Sequence, residues 1–419
     1  MTPSTFRTIP VWLLASKIGS GKTPSGGAKT YLESGVTFLR SQNVHFDGLR
    51  LDDAAFIDRG THAEMRGTKV RPDDVLLNIT GASLGRVARF PAGLGAANVN
   101  QHVCIIRPNG GVDSRFLAYA LASQPAQQQI SSMQVGGNRE GLNFDQVGHL
   151  RVPEVSAEEQ FRIADFLDVQ TARIDRMTDL QRVALDRVAE RDAAALDLGI
   201  DALYEQVGFL PLRRFVVGVD QGASPQCDAV PAGEDEWGVL KVSALRPEHF
   251  EPSANKRLPD DMVPDRRSEV REGDLLITRA NTPQLVGSTA VVPRVRRKLL
   301  LSDKIFRVRL AQDMDAHYVA AVARGSRVRA ACAAASNGAS QSMANLRFEE
   351  IKDWPIPRAS PAQQRAFVQQ MERSREAVGQ IRTKIDRQLA LLSERRQSLI
   401  TAAVTGQLDV TTAGRAAAV

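Results

Sequence analysis

Short apolar runs recur along the chain in two sets of the same order. The first half carries "VTFLRSQNV" (36–44), "DVLLNIT" (74–80) and "HVCIIRP" (102–108). The second carries "GVLKVSAL" (238–245), "DLLITRA" (274–280) and "KIFRVRL" (304–310). Such runs, rich in Val, Ile and Leu and punctuated by Gly, Pro, Asn and Asp, predict β-strands. A helical pattern follows over 115–130 and 316–334. Each half then exits through a hydrophobic-x-Pro segment, in "FDQVGHLRVP" (144–153) and "FEEIKDWPIP" (348–357).

The period then changes. Ser156 and Glu159 form a Ser-x-x-Glu capping box, and Ser360 with Gln363 repeats it, with Pro361 at the first helical position. Each cap opens about 45 residues free of proline, with Gly208 and Gly406 near the far ends as helix stops. Unbroken, such a helix spans roughly 60–70 Å, with Gly199 and Gly379 as weak points. Met371, Val378, Ile385, Leu392 and Leu399 recur every seventh residue. Leu167, Ile174, Gln181, Val188 and Ala195 stand at the equivalent places, and Met177 and Ile381 add positions three residues on. An apolar heptad seam predicts pairing with another helix, because one such stripe cannot be buried alone. The bland alternative is a helix packed only on its own globular domain.

The matches give the organisation. Phe144 and Phe348 lie 204 positions apart, as do "SAEEQ" (156–160) and "SPAQQ" (360–364), whereas Val70 and Val270 lie 200 apart. The chain is therefore expected to be duplicated, each half a β-containing domain followed by a long helix, with a few loop insertions causing the drift. Side-by-side pairing of two such helices suggests a pseudo-twofold arrangement. Antiparallel pairing would make the helical rod a ruler between two domains.

Composition narrows the class. A length of 419 residues implies two to three domains, and 43% hydrophobic with 24% charged residues is globular. No apolar run approaches the length of a membrane span, and the patch Val11–Ala15 is too short for a signal segment, so the expected location is the cytoplasm. Three scattered cysteines and six scattered histidines imply neither a disulfide framework nor a metal site. The net charge of +6 fits a polyanion-binding protein, while 5% aromatic residues argue against a stacking platform for single strands.

Catalytic motifs are missing. "GSGKTPSGG" (19–27) contains Gly-Lys-Thr without completing a phosphate loop, and no Gly-x-Ser-x-Gly elbow or Asp/Asn-Pro-Pro-Tyr/Phe methyltransferase segment occurs. Asp303-Lys304 lacks the further carboxylates a nuclease requires. The expectation is a non-catalytic protein.

Four segments carry a family resemblance: "GKTPSGG" (21–27), "EEQFRIADFLD" (158–168), "GDLLITRAN" (273–281) and "ERRQSLITAAVTGQLDV" (394–410). With the domain–helix–domain–helix order, the whole chain resembles the DNA specificity subunit of a Type I restriction-modification system. The resemblance implies an α+β fold, with two similar mixed α/β target-recognition domains (1–155 and 209–358). Two long helices (156–208 and 359–406) would separate them and pair as an antiparallel coiled coil, and 407–419 would form a tail. It further implies sequence-specific binding of double-stranded DNA at a bipartite, asymmetric site. Two methyltransferase subunits would dock on the chain, and restriction/translocase subunits would join through that methylase core. S-adenosylmethionine, ATP and Mg2+ would belong to those partners, none being bound directly.

Base edges are read by polar side chains, while phosphate contacts fix register. The candidates lie in polar loops between the runs. In the first half these are Lys22, Thr23, Ser25, Arg40, Gln42, Asn43, Asn78, Thr80, Ser83, Arg86, Gln101, His102, Asn138 and Arg139. In the second they are Ser224, Gln226, Lys241, Ser243, Arg279, Asn281, Thr282, Gln284, Lys304, Asn337, Ser340 and Gln341. For each, the bland alternative is a solvated turn. The helix-pairing candidates are Leu167, Ile174, Met177, Val188, Met371, Val378, Ile381, Ile385, Leu392 and Leu399. Two readings compete: the specificity portion of a fused restriction enzyme, against which the missing methylase motifs count, and a coiled-coil scaffold that binds no DNA, which predicts no sequence-dependent, salt-sensitive affinity.

Overall fold

The computed structural model describes residues 6–134, 141–247, 249–335 and 343–411. Two compact units emerge: residues 1–183 with 385–419, and residues 184–384. The divisions fall inside both long helices, so each helix contributes to both units.

Each unit is built on the same four-stranded antiparallel sheet. In the first the order is Ala15–Ser20, Val103–Pro108, Val75–Asn78, Val87–Arg89. In the second it is Val216–Gln221, Ile305–Leu310, Leu275–Thr278, Thr289–Val291. The inner strands Val75–Asn78 and Leu275–Thr278 are buried on both faces, hence their unbroken apolar runs. Their side chains alternate between two cores. Val75 and Leu77 face helices, while Leu76 joins a separate cluster with Leu39 and Val99. Leu275, Ile277 and Leu276 divide in the same way.

The acidic turn that opens each inner strand is structural. Asp74 is fully buried and accepts from the backbone N–H of Arg71 at 2.7 Å. Arg107 adds two bonds of 2.7 Å from Nε and a terminal nitrogen, a bidentate pairing that compensates the carboxylate's desolvation. Asp274 repeats the pattern with the N–H of Arg271 at 2.8 Å and the Arg307 guanidinium at 3.3 Å.

A second sheet lies beside each of these. Its order in the first unit is Ala55–Ile57, Val36–Leu39, Ala97–Val99, Lys69–Val70, with the middle pair parallel. In the second it is Asn255–Arg257, Gly238–Leu240, Leu299–Leu300, again with one parallel pair. The hydrophobic-x-Pro exits are strands: Arg151–Pro153 pairs with Thr8–Pro10, and Pro355–Pro357 with Phe209–Pro211.

The helices expected over 115–130 and 316–334 are each broken in two, into Ser114–Ala122 and Gln124–Ser132, and into Ala316–Arg324 and Ser326–Ala335. Pro125 cannot continue the first helix. At Gly325 the backbone is extended against the first long helix, where an added Cβ would lie 2.5 Å from Ile200.

The long helices run Ala157–Val207 and Pro361–Val404. Ser156 accepts from the N–H of Glu159 at 3.2 Å, and Ser360 from that of Gln363 at 3.4 Å. Gly208 ends the first helix at φ 65°. Both helices pass through Gly199 and Gly379 unbroken. They pack together, early residues of one against late residues of the other. In the first unit Ile163, Ala164 and Leu167 share a cluster with Ile400, Ala403 and Val404; in the second, Leu196 and Ile200 meet Phe367 and Met371. These clusters also contain the sheet's apolar face. Helix-on-helix and helix-on-domain packing thus coexist within one core. Of the pairing candidates, Leu167, Ile174, Met371 and Ile385 are buried, and Val188, Val378, Leu392 and Leu399 half-buried. Met177 and Ile381 stand off the seam, 41% and 43% exposed.

Candidate nucleic-acid interface

One end of the first unit's main sheet gathers polar side chains. Gly21 starts the gathering: its N–H donates to Asn100 at 3.1 Å and Val103 at 3.2 Å, and a Cβ there would lie 1.7 Å from the Val99 carbonyl oxygen. Only glycine permits that approach. It brings Lys22 and Thr23 alongside the turn at 99–102. The Thr23 hydroxyl donates to the Gln101 amide oxygen. Gln101 Nε2 lies 3.0 Å from His102 Nε2, and His102 Nδ1 lies 2.5 Å from the Thr80 hydroxyl. A cavity beside this chain is lined by Ser41, Gln42, Thr80, Ser83, Arg86 and His102. Arg86 also approaches His45 Nδ1 at 3.4 Å. Seven sequence candidates therefore converge: Gln42, Thr23, Thr80, Ser83, Arg86, Gln101 and His102. Lys22 and Ser25 are exposed on the adjoining loop.

Three candidates have other work. Asn43 and Asn78 are fully buried and leave the set of base readers. Asn43 donates to Arg50 at 2.9 Å and Asp53 at 2.8 Å, and Asn78 donates to the Ser41 carbonyl at 2.7 Å, which fastens the loop carrying Gln42. Arg40 turns to the Asp53 carbonyl at 2.5 Å and over the Tyr31 ring.

The second unit repeats the frame with different chemistry. A Cβ on Gly222 would lie 1.8 Å from the Leu301 carbonyl oxygen. Two residues on, the Ser224 hydroxyl donates to the Asp303 carboxylate and accepts from its N–H at 3.4 Å. The Gln221 amide and Arg279 (3.5 Å) both donate to the Asp303 carbonyl, and Lys304 follows, half-buried. Asn281 accepts from the N–H of Thr282 at 2.8 Å, capping the turn that leads to Gln284. Arg329 clamps that turn from below, donating to the carbonyls of Gln284 and Val286 at 2.8 Å. Lys241 is half-buried; Gln226, Ser243, Thr282 and Gln284 are exposed. Asn138, Arg139, Asn337, Ser340 and Gln341 lie outside the described residues. Asp303, Gln221, His45 and Arg329 were not singled out in the sequence as part of this surface. Asp303 was legible: the strand following it starts 202 positions after its counterpart, which sets Asp303 opposite Gln101.

Among the described residues no group of three or more His, Cys, Asp or Glu converges as a metal would need, and no helix is long and apolar enough to cross a membrane.

Two duplicated sheets with unlike polar ends are thus each packed on the long helices. Residues 63–183 match the family described as Type I restriction modification DNA specificity domain. The specificity subunit of the Type I restriction enzyme EcoEI from Escherichia coli is 33% identical over 147 residues, 35% of this chain and 25% of that one. The specificity subunit of EcoKI from Escherichia coli strain K12 is 21% identical over 400 residues, 89% of this chain and 82% of that one. The chain thus spans about a quarter of the first relative's length and most of the second's. A chain solved in work on complex assembly and conformational transition of the type I R-M system shares the fold. Its TM-score is 0.67 at 16% identity, covering 97% of this chain and all of that one. The family match covers residues 63–183, and the shared fold extends along nearly the whole chain.

Proposed function

We propose that the chain is the DNA-recognition and assembly subunit of a Type I restriction-modification complex, itself non-catalytic. Residues 1–155 and 209–358 act as the two target-recognition domains, each reading one half of a bipartite, asymmetric site in duplex DNA. The helical segments 156–208 and 359–406 set the spacing between half-sites and dock two methyltransferase subunits. The restriction/translocase subunits join through those. S-adenosylmethionine, ATP and Mg2+ are held by the partners.

One observation carries this reading: the same glycine-led frame presents Thr23, Gln101 and His102 in one unit and Ser224, Asp303 and Lys304 in the other. A repeated frame with altered hydrogen-bonding groups suits two unlike half-sites. The test is competition binding by the chain assembled with its methyltransferase subunits. Specific duplex is expected to win over random duplex, with affinity falling steeply as salt rises, since phosphate contacts release counterions. Exchange of residues 1–150 for those of a relative should alter one half-site only. Equal binding of all duplexes, or none, favours the scaffold reading.

A further inference from the structure

Gln101 and Asp303 occupy one place in two copies of one frame. Each follows a strand end approached by an obligatory glycine, Gly21 or Gly222. Each accepts a hydrogen bond from the hydroxyl of the residue two beyond that glycine, Thr23 or Ser224. Each precedes a residue able to carry positive charge, His102 or Lys304. Backbone and hydroxyl are alike. What differs is the group presented: an amide with donor and acceptor at 101, an acceptor-only carboxylate at 303.

We propose that Gln101 and Asp303 are specificity-determining residues, each reading the edge of one base pair in its half-site, and that Asp303 selects a base bearing an exocyclic amino group. The proposal rests on the two-domain DNA reading above. A carboxylate on a surface that meets a polyanion is repelled unless a donor faces it. In the major groove the donors on base edges are the amino groups of cytosine and adenine, whereas guanine N7 and O6 and thymine O4 are acceptors. Asp303 therefore discriminates by exclusion as well as by contact. The Gln221 amide, Arg279 and Ser224 hold its loop and carboxylate in place. Gln101, steadied by Thr23 and His102, presents the donor–acceptor pair that matches adenine N6 and N7.

The experiment uses the full chain assembled with its methyltransferase subunits and a duplex library randomised across both half-sites. Asp303→Asn keeps an oxygen for Ser224 and adds a donor. It should relax preference at one base pair of one half-site by about tenfold, raise affinity for random duplex, and leave the other half-site unchanged. Gln101→Glu should change preference at one base pair of the other half-site. Ser224→Ala, which frees the carboxylate without removing it, should weaken discrimination at the same position as Asp303→Asn. Wild-type preferences at every position in all three variants would overturn the assignment while leaving the two-domain reading intact. A wild-type complex that selects no sequence would overturn both.

Discussion

Arg396 on the second long helix places Nε 3.0 Å from a carboxylate oxygen of Asp175 on the first. A terminal nitrogen of the same guanidinium donates to the Phe46 carbonyl at 3.0 Å. One side chain, 14% exposed, thus ties the two helices to the hairpin turn at Phe46, between the strands Val44–His45 and Gly48–Leu49. Hydrogen bonds to a charged group in such a setting contribute about 1.5–3 kcal/mol. Arg396→Ala should lower the stability of the first unit by about 2–3 kcal/mol. Amide exchange should quicken in peptides covering 163–178 and 392–404 and stay unchanged in 209–358. Arg395→Ala, on the exposed face, should change neither; equal effects from the two would remove the assigned role.

Gln160 and Gln364 perform the same task in the two units. Gln364 is 1% exposed; its amide oxygen accepts from the N–H of Asp315 at 2.8 Å, and its nitrogen donates to the carbonyls of Asp313 and Ala359 at 2.9 Å. Gln160 accepts from Asp113 at 2.8 Å and donates to Val155 at 3.0 Å. Truncation leaves buried backbone groups unpaired, at about 1–3 kcal/mol. Gln364→Ala should therefore lower the denaturation midpoint clearly, while Gln370→Ala, two turns along on the exposed face, should fall within about 0.5 kcal/mol of wild type.

These glutamines show where the sequence was readable. The repeat "EEQ" and "AQQ" marked the helix starts, and the capping serines followed from local chemistry. The paired strands were legible because both-sided burial leaves a continuous apolar run flanked by the Asp74 and Asp274 turns. The seam was half legible. Counting sevens found Leu167 and Met371, but the added positions three residues on were exposed Met177 and Ile381, and the pattern passed over Ile200, Phe367 and Ile400. A helix that packs on a sheet as well as on another helix buries more than one stripe, so a strict heptad does not describe its ends. Asn43 and Asn78 read as loop readers because composition does not reveal that a polar side chain is folded inward onto backbone carbonyls. Asp303 was overlooked because loop insertions shift the repeat from 200 to 202 positions between neighbouring strands.

Two glycines should respond in opposite directions to the same substitution. Gly21→Ala drives a Cβ into the Val99 carbonyl, so the strand ends must part and the Thr23–Gln101 bond is lost. Gly379 sits within the second long helix with nothing near an added Cβ. Alanine there restricts the unfolded chain without strain and should stabilise by about 0.4–1 kcal/mol. Calorimetry of both variants checks the signs; a stabilised Gly21→Ala would refute the obligatory close approach.

The three thiols should separate by reactivity. Cys104 is fully buried in the main sheet of its unit, and burial pushes its thiol up from 9.0 to about 12; burial likewise pushes Cys332 up to about 11. Cys227 is partly exposed, and partial burial raises its thiol too. The thiolate is the reactive form, so a thiol probe at pH 8 should titrate Cys227 alone in the native chain and all three after denaturation. The sign of the pH dependence follows. The folded state disfavours ionisation, so it binds a proton that the unfolded chain releases above its ordinary thiol pKa. The stability contributed by the neutral thiols is complete below pH 9 and is lost as pH rises towards 11 and 12. Cys104→Ala should flatten that alkaline decline. It should also cost stability at pH 7 through the cavity left beside Leu77 and Ile106, whereas Cys227→Ala, at a partly exposed position, should cost less. Labelling of Cys104 in the native chain at the rate of Cys227 would contradict its placement in the core.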